Sequence, residues 1–114
     1  MGNVNIYLRK VNGLLLLRDD SGNNPSSNPI NPNVTTLIGK NDHVFWKKDD
    51  PGSGINSIDN ILKYPDSQDL FSSDPRPIIG QGWWTGVIGP NANGTESYSI
   101  TVDGLPYDPK LQIH

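Results

Sequence analysis

The chain has 114 residues, no cysteine and a net charge of −3, from 9 Lys and Arg against 12 Asp and Glu. That length fits one domain that buries its own core, and the missing thiols exclude disulfides, thiolate metal centres and thiol catalysis. An acidic balance gives no counterion-release drive toward phosphate backbones, so nucleic acid is not an expected partner.

The first element alternates, with Val4, Ile6 and Leu8 on one face and Asn5, Tyr7 and Arg9 on the other, the period of a half-buried strand. Asn12-Gly13 then separates this run from Leu14–Leu17. Asn-Gly between apolar runs signals a two-residue hairpin, because both central residues of a type I′ turn need positive φ. Strands over Asn3–Val11 and Leu14–Arg18 are therefore expected to pair. Asp19 to Asn33 holds three prolines and one apolar residue, Ile30, and reads as a long loop.

Strands follow at Val34–Ile38 and His43–Lys48, the second with Val44 and Trp46 on one face and Phe45 on the other. Ser57 could cap a short helix over 57–64, in which Ile58, Ile61 and Leu62 share a stripe and Pro65 ends it. Tyr64–Pro77 reads as an irregular connection anchored by Leu70 and Phe71. Further strands are expected at Gly82–Ile88 and Glu96–Val102, the latter with Tyr98, Ile100 and Val102 aligned. Asp103-Gly104 gives a second hairpin signal, and a last strand carries Leu111 and Ile113. The expectation is an all-β fold: one antiparallel Greek-key β-sandwich over 1–114, of about seven strands, with one short helix.

The stretch from Asn31 to Asp49, with a strand, a Gly39-Lys40-Asn41-Asp42 turn and the Val44-Phe45-Trp46 strand, resembles the cupredoxins. The Trp84-Thr85-Gly86 strand and Tyr98–Val102 near the C-terminus extend the resemblance over roughly residues 30–114. The resemblance implies a cupredoxin-like sandwich but not its copper chemistry. Asn56 stands near the position of the first histidine ligand, and Tyr98–Tyr107 contains no Cys, His or Met. A blue-copper centre needs thiolate and imidazole together, so no copper cofactor is expected, and fold alone carries no function.

Other chemistry is sparse. His43, Ser57 and Asp59 supply the residue types of a hydrolytic triad, but a triad is a geometry rather than a composition. Asp49/Asp50 and Asp66/Asp69 are carboxylate pairs with nothing apolar around them to raise a pKa. Asp19, Asp20 and Asn23, in the Asp19–Asn24 run, offer hard oxygen donors of the kind Ca²⁺ takes, without EF-hand spacing. The same residues are also ordinary turn formers. Asn33-Val34-Thr35 and Asn93-Gly94-Thr95 match the glycosylation pattern.

Trp83 and Trp84 carry the most information. Adjacent strand residues face opposite ways, so one indole enters the core and the other faces out, where it can stack on a sugar or anchor a protein partner. Phe45, opposite Val44 and Trp46, belongs to the same candidate binding surface. Few edge blockers lie along Asn3–Tyr7, which suggests pairing with a partner or a second copy by strand addition.

No run reaches the ~20 apolar residues of a spanning helix, so no membrane partner is expected. Arg9 and Lys10 precede too short an apolar run for a secretory signal, so with Met1 as the native start the chain is expected in the cytoplasm. The role expected is a non-enzymatic, metal-free protein-interaction or assembly module. The alternative is a carbohydrate-binding module using an exposed Trp, with or without Ca²⁺.

Overall fold

The computed structural model describes residues 2–20, 35–49, 52–64, 68–80 and 82–113. In chain order the strands are β1 (Asn3–Val11), β2 (Leu14–Asp19), β3 (Thr35–Ile38), β4 (His43–Lys48), β5 (Ile58–Lys63), β6 (Phe71–Ile78), β7 (Trp83–Ile88), β8 (Thr95–Val102), β9 (Leu105–Tyr107) and β10 (Lys110–Ile113). One sheet runs β2-β1-β4-β7-β6. The other runs β3-β10-β8-β5, with β9 also paired to β8. β9 and β10 lie along the same side of β8, with Asp108 and Pro109 between them. There the Tyr98 N–H donates to the Pro109 carbonyl at 3.2 Å.

Alternation decides which side chains meet in the middle. Ile6 and Leu8 of β1, Leu15 and Leu17 of β2, and Val44 and Trp46 of β4 turn inward from the first sheet. They pack with Ile38, Ile58, Ile61, Tyr98, Ile100, Val102 and Leu111 of the second. The Trp46 indole Nε1–H donates to the Tyr98 hydroxyl at 3.0 Å, and the rings meet edge-on with centroids 5.6 Å apart. Both side chains are fully enclosed, so each supplies the partner that the other's polar tip needs once water is gone. Phe71 packs on Trp46 at 6.2 Å. It fits because residue 86 is glycine: a Cβ there would lie 2.8 Å from a Phe71 ring carbon.

The two hairpin signals hold. Asn12 and Gly13 have φ of 52° and 80°, and Asp103 and Gly104 have 50° and 82°, the positive values that a type I′ turn requires. Leu70 and Phe71 are buried as anchors.

Other expectations are corrected. The segment 57–64 is not helical: Ile58–Lys63 is strand β5. Its helix-like spacing comes from a bulge, in which Ile58 and Asn60 oppose the adjacent residues Val102 and Thr101 and leave Asp59 extra. One inserted residue shifts the inward face from even to odd positions, so Ile58 and Ile61 both reach the core. Much of the supposed connection Tyr64–Pro77 is strand β6, whose two register shifts against β7 erase the alternation. β6 lies at the end of its sheet order, where Pro75 and Pro77 are tolerated.

Among the described residues the strands therefore number ten rather than about seven, and the sheets are mixed rather than antiparallel. β1 runs parallel to β4, and β3 parallel to β10. β1 lies between two strands of its sheet, with β2 paired to Ile6–Val11 and β4 to Asn3–Leu8. Along Ile6–Tyr7 both sides of the strand are thus taken.

Two stability predictions follow from the packing. Tyr98→Phe strands the buried Trp46 N–H and should cost about 1–3 kcal/mol in urea unfolding. Gly86→Ala forces the Phe71 ring to shift and should cost about 1–3 kcal/mol. An unchanged urea midpoint in either variant contradicts the packing described.

Candidate functional site

The outward side chains of the first sheet form the most distinctive surface of the molecule. Because Val44 and Trp46 face in, Phe45 and Lys47 face out. Because Ile6 and Leu8 face in, so do Tyr7 and Arg9 face out. On β7 the same rule separates the tandem indoles. Trp84 turns inward against the core and donates its Nε1–H to the Ile58 carbonyl of the opposite sheet at 3.0 Å. Trp83 turns outward and is half-buried. Of the three aromatic candidates, Trp83 and Phe45 thus share one surface, while Trp84, itself partly buried, packs against the core from the other face and ties the sheets together.

Register places cations between the outward rings. Arg18 is the cross-strand partner of Tyr7, and Tyr7 that of Lys47. Trp83, next along the row, faces Ile78 of β6. The Arg18 guanidinium lies 4.1 Å from the Tyr7 ring centroid. The Lys47 ammonium lies 4.2 Å from the Trp83 ring, 5.5 Å from Phe45 and 5.9 Å from Tyr7. Each distance is within cation–π reach. The row Arg18–Tyr7–Lys47–Trp83–Ile78 crosses all five strands, and Phe45 flanks it.

The two ends of the row differ electrostatically. Arg18 donates to Asp49 at 3.0 Å, and the Arg9 Nε lies 3.6 Å from the same carboxylate. The Arg18 hydrogen bond, with the charges of Arg18 and Arg9, holds the Asp49 carboxyl below its ordinary pKa, and the same bond with the Asp49 charge raises that of Arg18. Lys47 forms no ion pair among the described residues. Neither does Arg76 of β6, which faces Thr85 and donates to the Ser73 hydroxyl at 2.6 Å.

The remaining candidates are dispersed. Asp19 is not a loop donor. It ends β2, faces inward and accepts from the Thr36 hydroxyl, which crosses between the sheets. Asp20 accepts from the backbone and side-chain nitrogens of Asn5 at 2.8 and 3.0 Å. Asn23 lies outside the described residues, as does most of the expected Asp19–Asn33 loop. Among the described residues no three His, Cys, Asp or Glu side chains gather in a way that could hold a metal ion.

Ser57 donates to Asp59 beside the β5 bulge, and the Asp59 carboxylate also accepts the Gly104 N–H at 2.7 Å. His43 is on the other sheet, exposed at the start of β4. The triad residue types are thus spread over two sheets. Asp69 accepts from Lys63 at 2.9 Å, which lowers its pKa. Asp50, Asp66, Asn33 and Val34 fall outside the described residues, and Asn93 is exposed. Asn56, near the expected copper-ligand position, gives its backbone N–H to Asp103 at 3.0 Å.

Glu96 is the titratable group that sequence reasoning passed over. It is 1% exposed on the inward face of β8, with one oxygen accepting the Leu70 N–H at 2.9 Å and the other without a partner. Loss of water is the main cause that pushes its carboxyl up to about 7. The Leu70 N–H and Lys63 pull the other way, while Asp69 and Asp74 add to the rise. The signal was available: the inward period Tyr98, Ile100, Val102, extended back one step, lands on residue 96.

No family model matches the chain, and no curated protein matches it either.

The Glu96 environment sets a pH dependence. The unfolded carboxyl titrates near 4.5 and the folded one near 7, so between those values the folded state binds more protons. Stability should therefore fall as pH rises through this window, by roughly 3 kcal/mol in all. Urea midpoints between pH 5 and 8 test this, and Glu96→Gln should flatten the profile. A flat wild-type profile contradicts the assignment.

Proposed function

We propose that this chain is a non-enzymatic interaction or assembly module on a metal-free, cupredoxin-like β-sandwich, and that it engages its partner through the outward face of the β2-β1-β4-β7-β6 sheet. The observation that carries the reading is the row Arg18–Tyr7–Lys47–Trp83 with Phe45 beside it, all on one sheet face. Trp, Tyr and Arg are the side chains most often dominant at protein interfaces, because they bring large contact area with a polar tip. None of these side chains belongs to the buried core cluster behind the sheet. The two-sheet all-β sandwich is consistent with the cupredoxin-like reading.

A catalytic reading has less support. His43 sits across the sandwich from the Ser57–Asp59 pair, and Asp49 and Asp69 are held in ion pairs. Carbohydrate binding remains the second reading, because the outward, half-buried Trp83 is the kind of ring on which a sugar stacks.

Trp83→Ala tests both. The side chain faces out, so the fold should survive with a loss of about 1 kcal/mol or less. Sedimentation velocity and chemical cross-linking should show wild-type protein joined to a partner or a second copy through this face, and the variant released. A thermal-shift series with neutral oligosaccharides separates the alternative. Ligand at about 100 times its Kd adds about 2.7 kcal/mol, on the order of 10 °C in Tm for a domain of this size. A shift lost in Trp83→Ala would replace the protein-interaction reading with the carbohydrate one.

A further inference from the structure

Charge is unevenly distributed over the molecule. The outward face of the β2-β1-β4-β7-β6 sheet carries Arg9, Arg18, Lys47 and Arg76, four of the nine basic residues. Among the described residues Asp20 and Asp49 bring carboxylates to it, while Asp74 of β6 is paired with Lys63 of the other sheet. A protein of net charge −3 thus presents one basic face.

The surplus is localised. Arg9 and Arg18 are engaged with Asp49. Lys47 and Arg76 have no carboxylate among the described residues, and they stand on the two strands that flank β7, with Trp83 projecting from β7 itself. Two unpaired cations beside an outward indole are matched by carboxylates set beside an apolar side chain. The β6–β7 hairpin adds two aliphatic groups to the same neighbourhood. Ile78 faces Trp83, and Ile79 follows it at 97% exposure. Hydroxylated sugar rings leave such aliphatic groups without a match, whereas a polypeptide supplies apolar side chains for them.

Resting on the proposed interaction face, we infer that its occupant is an acidic polypeptide surface, which sets carboxylates on Lys47 and Arg76 and an apolar side chain against Trp83 and the Ile78–Ile79 hairpin. The net negative charge of the chain sharpens the inference. Diffuse attraction of a polyanion to the whole molecule is unfavourable, so an acidic ligand that binds must do so at a local basic patch.

Isothermal titration with three probes tests this: a glutamate–tyrosine copolymer, poly-L-glutamate and polygalacturonate. The copolymer should bind, more tightly than poly-L-glutamate, and should weaken by roughly tenfold between about 20 and 300 mM salt as the ion pairs are screened. Lys47→Gln combined with Arg76→Gln should weaken it by at least about tenfold. Lys47→Arg should retain binding, and Lys40→Gln, in the distant β3–β4 turn, should leave it unchanged. Circular dichroism checks that each variant is folded.

No binding of the copolymer, or binding indifferent to the double substitution, overturns the inference. Polygalacturonate bound in preference to the copolymer, with the same charge dependence, replaces the polypeptide with an acidic glycan. The sedimentation and cross-linking behaviour of Trp83→Ala separates the two levels. If that variant loses its partner while the charge variants do not, the face stands and its acidic occupant falls. If neither changes anything, both fall.

Discussion

The hydrogen bond between the Trp46 indole and the Tyr98 hydroxyl is the contact around which this sandwich is arranged. It joins the central strand of one sheet to one of the two inner strands of the other. An indole or a phenol alone at that depth would leave a polar group without water. Together they fill a large volume and satisfy each other, so the sheets keep a fixed spacing and a fixed registry. Phe71 packs on the same indole through the space that Gly86 leaves. Trp84, bonded to the Ile58 carbonyl, and Thr36, bonded to Asp19, repeat the device nearer the ends. Each is a polar tip from one sheet answered by the other.

Fixing the inward face also fixes the outward one. A strand gives a side chain only two directions. With Trp46 and Trp84 committed to the core, Lys47 and Trp83 have no choice but solvent. The cation–aromatic row is therefore a by-product of core registry as much as of local attraction. Cross-strand alignment, set by the β1–β4 and β4–β7 pairings, then brings the Lys47 ammonium over the indole. Individually such contacts contribute about 0.5–1 kcal/mol at exposed sites. Their effect here is to hold long side chains in place, which lowers the ordering cost of any later association.

The sequence was legible where the backbone speaks through local chemistry. Asn12-Gly13 and Asp103-Gly104 declared their turns because few other residues adopt two successive positive φ values. The alternation of β1, β4 and β8 gave their inward faces directly. It misled at β5, where the Asp59 bulge turned a period of two into a helix-like spacing, and at β6, where two register shifts and two prolines left no period to read. At the site, an outward Phe45 and one outward indole of the Trp83-Trp84 pair were legible, but not which of the two indoles it is, because alternation alone does not say which face is the core. The cations between the outward rings were not legible, because Arg18, Tyr7 and Lys47 meet only through pairings that span distant parts of the chain. The parallel pairing of β1 with β4 was equally hidden, since no local residue marks it.

That parallel pairing also constrains how the molecule is made. On a growing chain β1 and β2 can close at once through their tight turn, yet the other side of β1 must wait for β4 to be synthesised. β3 waits longer still, because Lys110 to Ile113, the segment it pairs with, follows every other described strand. Contacts of such long sequence separation place this fold among the slow, topologically complex folders. During synthesis the early hairpin carries an open row of backbone donors and acceptors beside Ile6 and Leu8. A strand that lies between two neighbours in the folded sheet is thus open to mispairing until β4 has emerged.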